Sequence, residues 1–274
     1  MDRVNVSTLA ERPELADALW EMPDSWPAFV LQDPVSRAFV GRIPEVFRDH
    51  VLVATDGDGT LVGRALSVPF RLAGPERNGE LPPRGWDEVL LRAFADHRRG
   101  ETPDTVGAIE IAVRPDLQRR GLSGRLLTAL RENARSRGFA EVVAPVRPSA
   151  KHHEPQTPMS EYAFRTREED GLPHDPWLRV HVRAGAVIEK VAPASMTVAG
   201  SLAEWREWTG LPFDRPGDVI VPGALAPVHC RLERDCAVYV EPNVWVRHRV
   251  SRELRRDHRG RAPRPRTRLP QWPP

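Results

Sequence analysis

The sequence predicts an α/β fold. Three observations carry this: a hairpin in which VLVAT (51–55) and LVGRALSVPFRL (61–72) flank the turn GDGT, a strand–helix–strand unit over 105–146, and strands again after residue 186. With 274 residues, 40% hydrophobic and 28% charged, the chain has enough apolar material for a real core. That usage excludes wholesale disorder, a collagen-like chain and a membrane-embedded bundle. One globular domain over 1–250 is expected, followed by a mobile Arg/Pro-rich tail over 251–274.

The elements follow in order. Pro13 opens a helix over 12–22, with Leu15, Ala18, Leu19 and Met22 at helical spacing. A Pro/Trp connector precedes a second helix over 34–47, which Gly41 and Pro44 weaken. After the hairpin, residues 73–104 interrupt the rhythm as an insertion holding a short amphipathic helix, WDEVLLRAFADH. The strand TVGAIEIAVRP (105–115) alternates, so Ile109, Ile111 and Val113 are expected on one face and Ala108, Glu110 and Ala112 on the other. A leucine-striped helix starts near Ser123, which is suited to cap it, and stops at Gly138; the strand AEVVAPV follows. A second insertion, 147–174, is loop-like. Asp175-Pro176 then starts a helix that runs to Gly185. The strand over 186–198 and an extended distal segment, 199–250, complete the domain.

Charge and cysteine content narrow the partners. The net charge of +2 hides a split, because beyond residue 246 ten Arg face only Glu253 and Asp257, a net of +8 that leaves the body at −6. Such a tail can release counterions from an anionic surface, but it lacks a binding fold and interleaved aromatics, so nucleic acid stays open without being expected. Cys230 and Cys236 make neither a disulfide framework nor a zinc motif. His152-His153-Glu154 offers no metal site, since adjacent histidines are expected to point apart and no second pair lies at zinc-like spacing. With no basic leader and no long apolar run, a cytoplasmic address without membrane association is expected. A homodimer is left open.

The chemistry is carried by Gln118-Arg119-Arg120-Gly121-Leu122-Ser123, between a strand ending in VRP and an amphipathic helix. A tight glycine turn lets several amide N–H groups and the positive end of the helix dipole face one point, which suits a pyrophosphate. Neither GK[ST] nor GxGxxG is present.

In this setting the chain resembles the GNAT superfamily of acyl-CoA-dependent N-acyltransferases, over about residues 10–200. Gln118 and Gly121 match the family's [QR]-x-x-G-x-[GA]; Ser123 departs at the small last position. The resemblance implies a mixed sheet splayed like a V, flanked by helices, with the pantetheine of acyl-CoA between two parallel strands. It implies diphosphate binding by the loop from Gln118 to Gly124, including Leu122 and Ser123. Arg119 and Arg120 either add charge there or are plain surface arginines. Backbone groups of Ala112 and Val113 align the thioester carbonyl. No metal is called for.

The implied reaction is direct attack of an amine on the thioester, the acyl group being acetyl. Glu110 is the candidate general base, its pKa expected to rise through burial. Family members often carry a tyrosine acid four residues before the glycine that ends the fourth helix; here that position is His181. A histidine of near-neutral pKa can serve as acid, or solvent can. Trp26 and Phe29 in the connector, with Trp20, and Trp245 in the distal strands are candidate acceptor contacts; Glu241, Asn243 and His248 are candidate polar ones. The expected acceptor is a small-molecule amine. A CoA-binding sensor that has lost its chemistry, and a protein- or tRNA-linked acyl or aminoacyl transferase, are the alternatives.

Overall fold

The computed structural model describes residues 4–74 and 76–250. The segment 251–274, expected as a mobile tail, lies outside them. Among the described residues, nine strands form one sheet: β1 (Asn5–Thr8), β2 (Val51–Thr55), β3 (Leu61–Phe70), β4 (Thr105–Val113), β5 (Glu141–Val146), β6 (Val187–Gly200), β7 (Gly217–Val219), β8 (Val228–Arg231) and β9 (Cys236–Arg249). The order is β1-β2-β3-β4-β5-β9-β8-β7, with β6 along the other edge of β9. Every described pairing is antiparallel except β4 with β5.

That parallel pairing is short. Val106 meets Val142 and Gly107 meets Val143, and no further pair joins the two strands. Residues 108–113 and 144–146 therefore line two arms of a gap in the sheet, the expected V. β5 instead pairs along its whole length with the C-terminal half of β9, from Glu141–Arg249 to Val146–Val244.

Helices cover both faces. They are α1 (Ala18–Glu21), α2 (Pro34–Phe39), α3 (Ile43–Val46), α4 (Gly85–Arg99), α5 (Leu122–Ser136), α6 (Met159–Tyr162), α7 (Pro176–Arg183) and α8 (Leu202–Thr209). One face buries Leu19, Ile43, Leu66, Val68, Leu90 and Phe94 under the first four helices. The opposite face packs Leu122, Leu126, Leu130 and Ala134 of α5 on Leu52, Val62, Ala65 and Val142. Beside α5, Leu178 of α7 packs with Ala144, Val146, Val244 and Val246. Phe29, Val198, Trp205, Phe213 and Tyr239 form a distal cluster. No helix among the described residues is long and apolar enough to cross a membrane.

Several expectations need correction. The helix over 12–22 reduces to a 3-10 turn, Pro13–Leu15, and the single turn of α1. That over 34–47 breaks into α2, a 3-10 turn at Val40–Arg42, and α3, with the break at Gly41 and Pro44 placed in the first turn of α3. Asp33 caps α2 by accepting from the Ser36 amide. Insertion 73–104 contributes a full helix, α4, with Asp87 and Glu88 in its first turn, His97, Arg98 and Arg99 in its last, and left-handed Gly100 after it. The helix α8 was not foreseen, although Ser201 and Glu204 spell out the capping box that starts it.

Candidate active site

The loop leaving β4 makes a 3-10 turn at Pro115–Leu117 and then takes positive φ at Arg119 (61°) and Gly121 (78°) before α5 begins at Leu122. Gly121 is the N-cap residue. Ser123, expected as the cap, lies inside the first turn, and no side chain caps this helix. None of the amides of residues 119–124 donates to a described group. They lie at the positive, N-terminal end of a 15-residue helix, an arrangement fit for a polyanion. Arg119 and Arg120 are exposed beside it. A Cβ on Gly124 would lie 4.0 Å from Val180, so the first turn of α5 runs close alongside α7.

On β4, a bulge changes the expected alternation. Leu66 pairs with Glu110 and Ser67 with Ala108, leaving Ile109 as the extra residue. Ile109 therefore packs with Ala112 on the α1–α4 side, whereas Ala108, Ile111 and Val113 face α5. The indole of Trp86 donates to the Ile109 carbonyl at 2.9 Å and fixes the bulge.

Glu110 lies in the fork of Arg64, which donates to Oε2 from Nε at 2.9 Å and to Oε1 from Nη2 at 3.0 Å. The same guanidinium reaches Asp24 at 2.8 Å and the Leu19 carbonyl at 2.6 Å. Trp26 Nε1 donates to Glu110 Oε1 at 2.6 Å. The carboxylate is part-buried, its side chain 8% exposed, and its setting is charge-paired. Arg64 and Asp24 were missed; an arginine inside the apolar β3 was the available signal.

The other arm carries a second pair. Arg147, just beyond β5, donates from Nε to both oxygens of Glu241, at 3.1 and 3.0 Å. Glu241 is fully buried and also accepts from Tyr239 Oη at 2.8 Å and Asn243 Nδ2 at 3.0 Å. The Trp26 ring centre lies 5.9 Å from the Arg147 guanidinium carbon. One indole thus links the two arms of the V. Of the other apolar candidates, Phe29 packs edge-on against Tyr239 in the distal core, and Trp245 is fully buried with its indole on the Pro82 carbonyl. Both are core side chains, because the register of β9 turns Trp245 towards the α4 side. Trp26, by contrast, is part-exposed and lies between Glu110 and Arg147.

His181 is buried in α7 with Nδ1 2.9 Å from Nε2 of His248 on β9. Burial, helped by the neighbouring His248 and Arg131, pushes His181 down to about 3. Burial and Arg131 push His248 down to about 4. The expected near-neutral imidazole acid is therefore corrected: both rings are uncharged at neutral pH. The rings of His152 and His153 do not point apart but lie 4.0 Å between centres. Among the described residues, no group of three or more His, Cys, Asp or Glu is arranged to hold a metal.

An amide-lined loop before α5, placed where β4 leaves β5, is matched by a family model described as acetyltransferase (GNAT) family over residues 15–153. The chain belongs to the GNAT family. It is an acyl-CoA N-acyltransferase. Arginine N-acetyltransferase avaD of Aspergillus versicolor is 28% identical over 276 residues, covering 90% of this chain and 94% of that protein. In fold, this GNAT acyltransferase is similar to the loading GNATL domain of CurA from Lyngbya majuscula, at 20% identity and TM-score 0.59, covering 91% of this chain and 98% of that one. It is also similar to the GphF GNAT-like decarboxylase in complex with isobutyryl-CoA, at 19% identity and TM-score 0.54, covering 91% and 100%.

Proposed function

We propose that this enzyme transfers an acetyl group from acetyl-CoA to an amine of arginine or a closely similar cationic small molecule. One observation carries the acceptor class. Asp24 and Glu110, with side chains 27% and 8% exposed, both pair with Arg64, so among the described residues this cluster keeps net negative charge. A cationic acceptor complements it. The likeness to an arginine N-acetyltransferase over nearly the whole chain supports the same class.

The roles assigned in this reading are these. The amides of residues 119–124 hold the diphosphate, with Arg119 and Arg120 adding charge. The edge of β4 at Ala112 and Val113, which β5 leaves unpaired, offers backbone groups to the thioester carbonyl. The amine lone pair attacks the carbonyl carbon, the C–S bond breaks, and the thiolate is the leaving group. The nitrogen's proton passes to Glu110, directly or through water. Arg64 keeps that carboxylate aimed, and acceptor entry at the connector exchanges the Trp26 indole N–H for an N–H of the neutral amine, whose ammonium proton has already passed to solvent. His181, uncharged and tied to His248, shapes the α7 wall, and solvent protonates the thiolate.

A thiol-release assay with acetyl-CoA and a panel of amines tests this. Arginine is expected to accelerate release well above the acceptor-free rate and to outrun neutral and acidic amines, with an acetylated product seen by mass spectrometry. Equal release without arginine, or preference for an acidic amine, contradicts it.

A further inference from the structure

Arg147 is only partly used by the fold. Nε is spent on Glu241, and Nη2 donates to the Gly223 carbonyl at 2.6 Å. Nη1 makes no hydrogen bond to a described group and is not among the buried polar atoms left without a partner, and the Tyr239 hydroxyl lies beside the guanidinium. The side chain is 18% exposed over a fully buried Glu241. Glu241 does not depend on Arg147 alone, since Tyr239 and Asn243 also donate to it. The guanidinium is thus held by Glu241 and Gly223, is 18% exposed, and keeps Nη1 without a described acceptor.

Its place gives it an object. Trp26 links Arg147 on one arm to Glu110 on the other, so one indole lies between a guanidinium, itself paired with Glu241, and the Asp24–Glu110–Arg64 cluster. An α-amino acid presents a charge pair of its own, an anionic carboxylate near a cationic nitrogen. We infer that Arg147 binds the α-carboxylate of the acceptor, which makes the substrate a free amino acid and not its decarboxylated or amidated analogue. This rests on the arginine reading above and adds a specificity residue to it. A site that pairs a charged acceptor group discriminates strongly against analogues lacking it, because its own donors are then left unpaired.

The test uses the wild-type full chain with three acceptors at saturating acetyl-CoA: arginine, arginine amide and agmatine, the last two keeping the guanidinium and lacking the carboxylate. The expected result is a kcat/KM at least ~10-fold lower for both analogues, mostly through KM. Arg147→Lys, which keeps the charge and loses the fork, is expected to lower kcat/KM for arginine and to bring the arginine-to-amide ratio towards one, with KM for acetyl-CoA unchanged. If that variant does not fold, the wild-type ratio decides. Equal use of arginine and arginine amide by the wild type overturns the role of Arg147 while leaving the arginine reading standing. Acetylation of neither overturns that reading, and this inference with it.

Discussion

Without the extra residue at Ile109, Glu110 would share the face of Ala108 and point at α5; the bulge turns it instead towards Arg64 and the connector. Glu110→Gln keeps the shape and removes the proton acceptor. Turnover is expected to fall by ~100-fold or more, with acetyl-CoA affinity unchanged in calorimetry. An unchanged rate would end the assignment. Glu110 was legible because a carboxylate in mid-strand is unusual, whereas its partner Arg64 was not singled out from an equally telling position. Arg147 was hidden because its importance comes from Glu241, a residue 94 positions away. The histidines add a pH signature. Folding holds His181 and His248 at about 3 and about 4, against an ordinary 6.5, so the unfolded chain binds protons that the fold refuses. Their contribution is full above about pH 6.5 and is lost as pH falls through 4 towards 3. Asp87 works in the opposite sense. Burial, with Asp33 beside it, raises it to about 8 from 3.8, so its contribution fades as pH rises through 8. The decisive measurement is therefore a difference: denaturant unfolding of the wild type and of a His181→Phe/His248→Leu variant from pH 7 to 4. The wild type is expected to lose stability more steeply on acidification, and parallel curves would remove the assignment of neutral, buried rings.

At the scale of elements, the loop before α5 depends on one left-handed residue. Gly121 has open space around it, so a side chain meets no clash and acts only through φ. Gly121→Val is expected to cost ~1–2 kcal/mol of local strain and to reorient the amides of the first turn. The Kd for acetyl-CoA should rise at least ~10-fold in calorimetry while far-UV circular dichroism is retained. Unchanged affinity would show that the loop does not hold the diphosphate. This loop and α7 were readable because their signals are local: a glycine between a strand and a leucine stripe, and Asp-Pro at a helix start. Asp175 does accept from the Trp177 and Leu178 amides as such a cap should. The broken helices before β2 were not readable in the same way. Their apolar spacing is helical, but Gly41 and Pro44 act on the backbone, and packing on the sheet accommodates one-turn pieces.

For the whole molecule, the gap between β4 and β5 organises everything else. α5 and α7 flank it on one face, the connector with Trp26 crosses it on the other, and β9 takes up the pairing that β4 gives away. The splayed sheet with a gap between two parallel strands followed from the family resemblance, and the strand order did not follow from the sequence, because local patterns do not state which strands are neighbours. The inward roles of Phe29 and Trp245 followed from neither, since burial of an aromatic depends on how distant elements close over it. The central claim is that the bend at Gly121 grips a nucleotide diphosphate at the mouth of this gap. Titrating the protein with acetyl-CoA and with acetyl-pantetheine, which carries the same thioester without the nucleotide, tests it directly. Saturable binding of acetyl-CoA with at least ~100-fold weaker binding of acetyl-pantetheine is predicted; equal affinity for the two, or no binding of either, would contradict it.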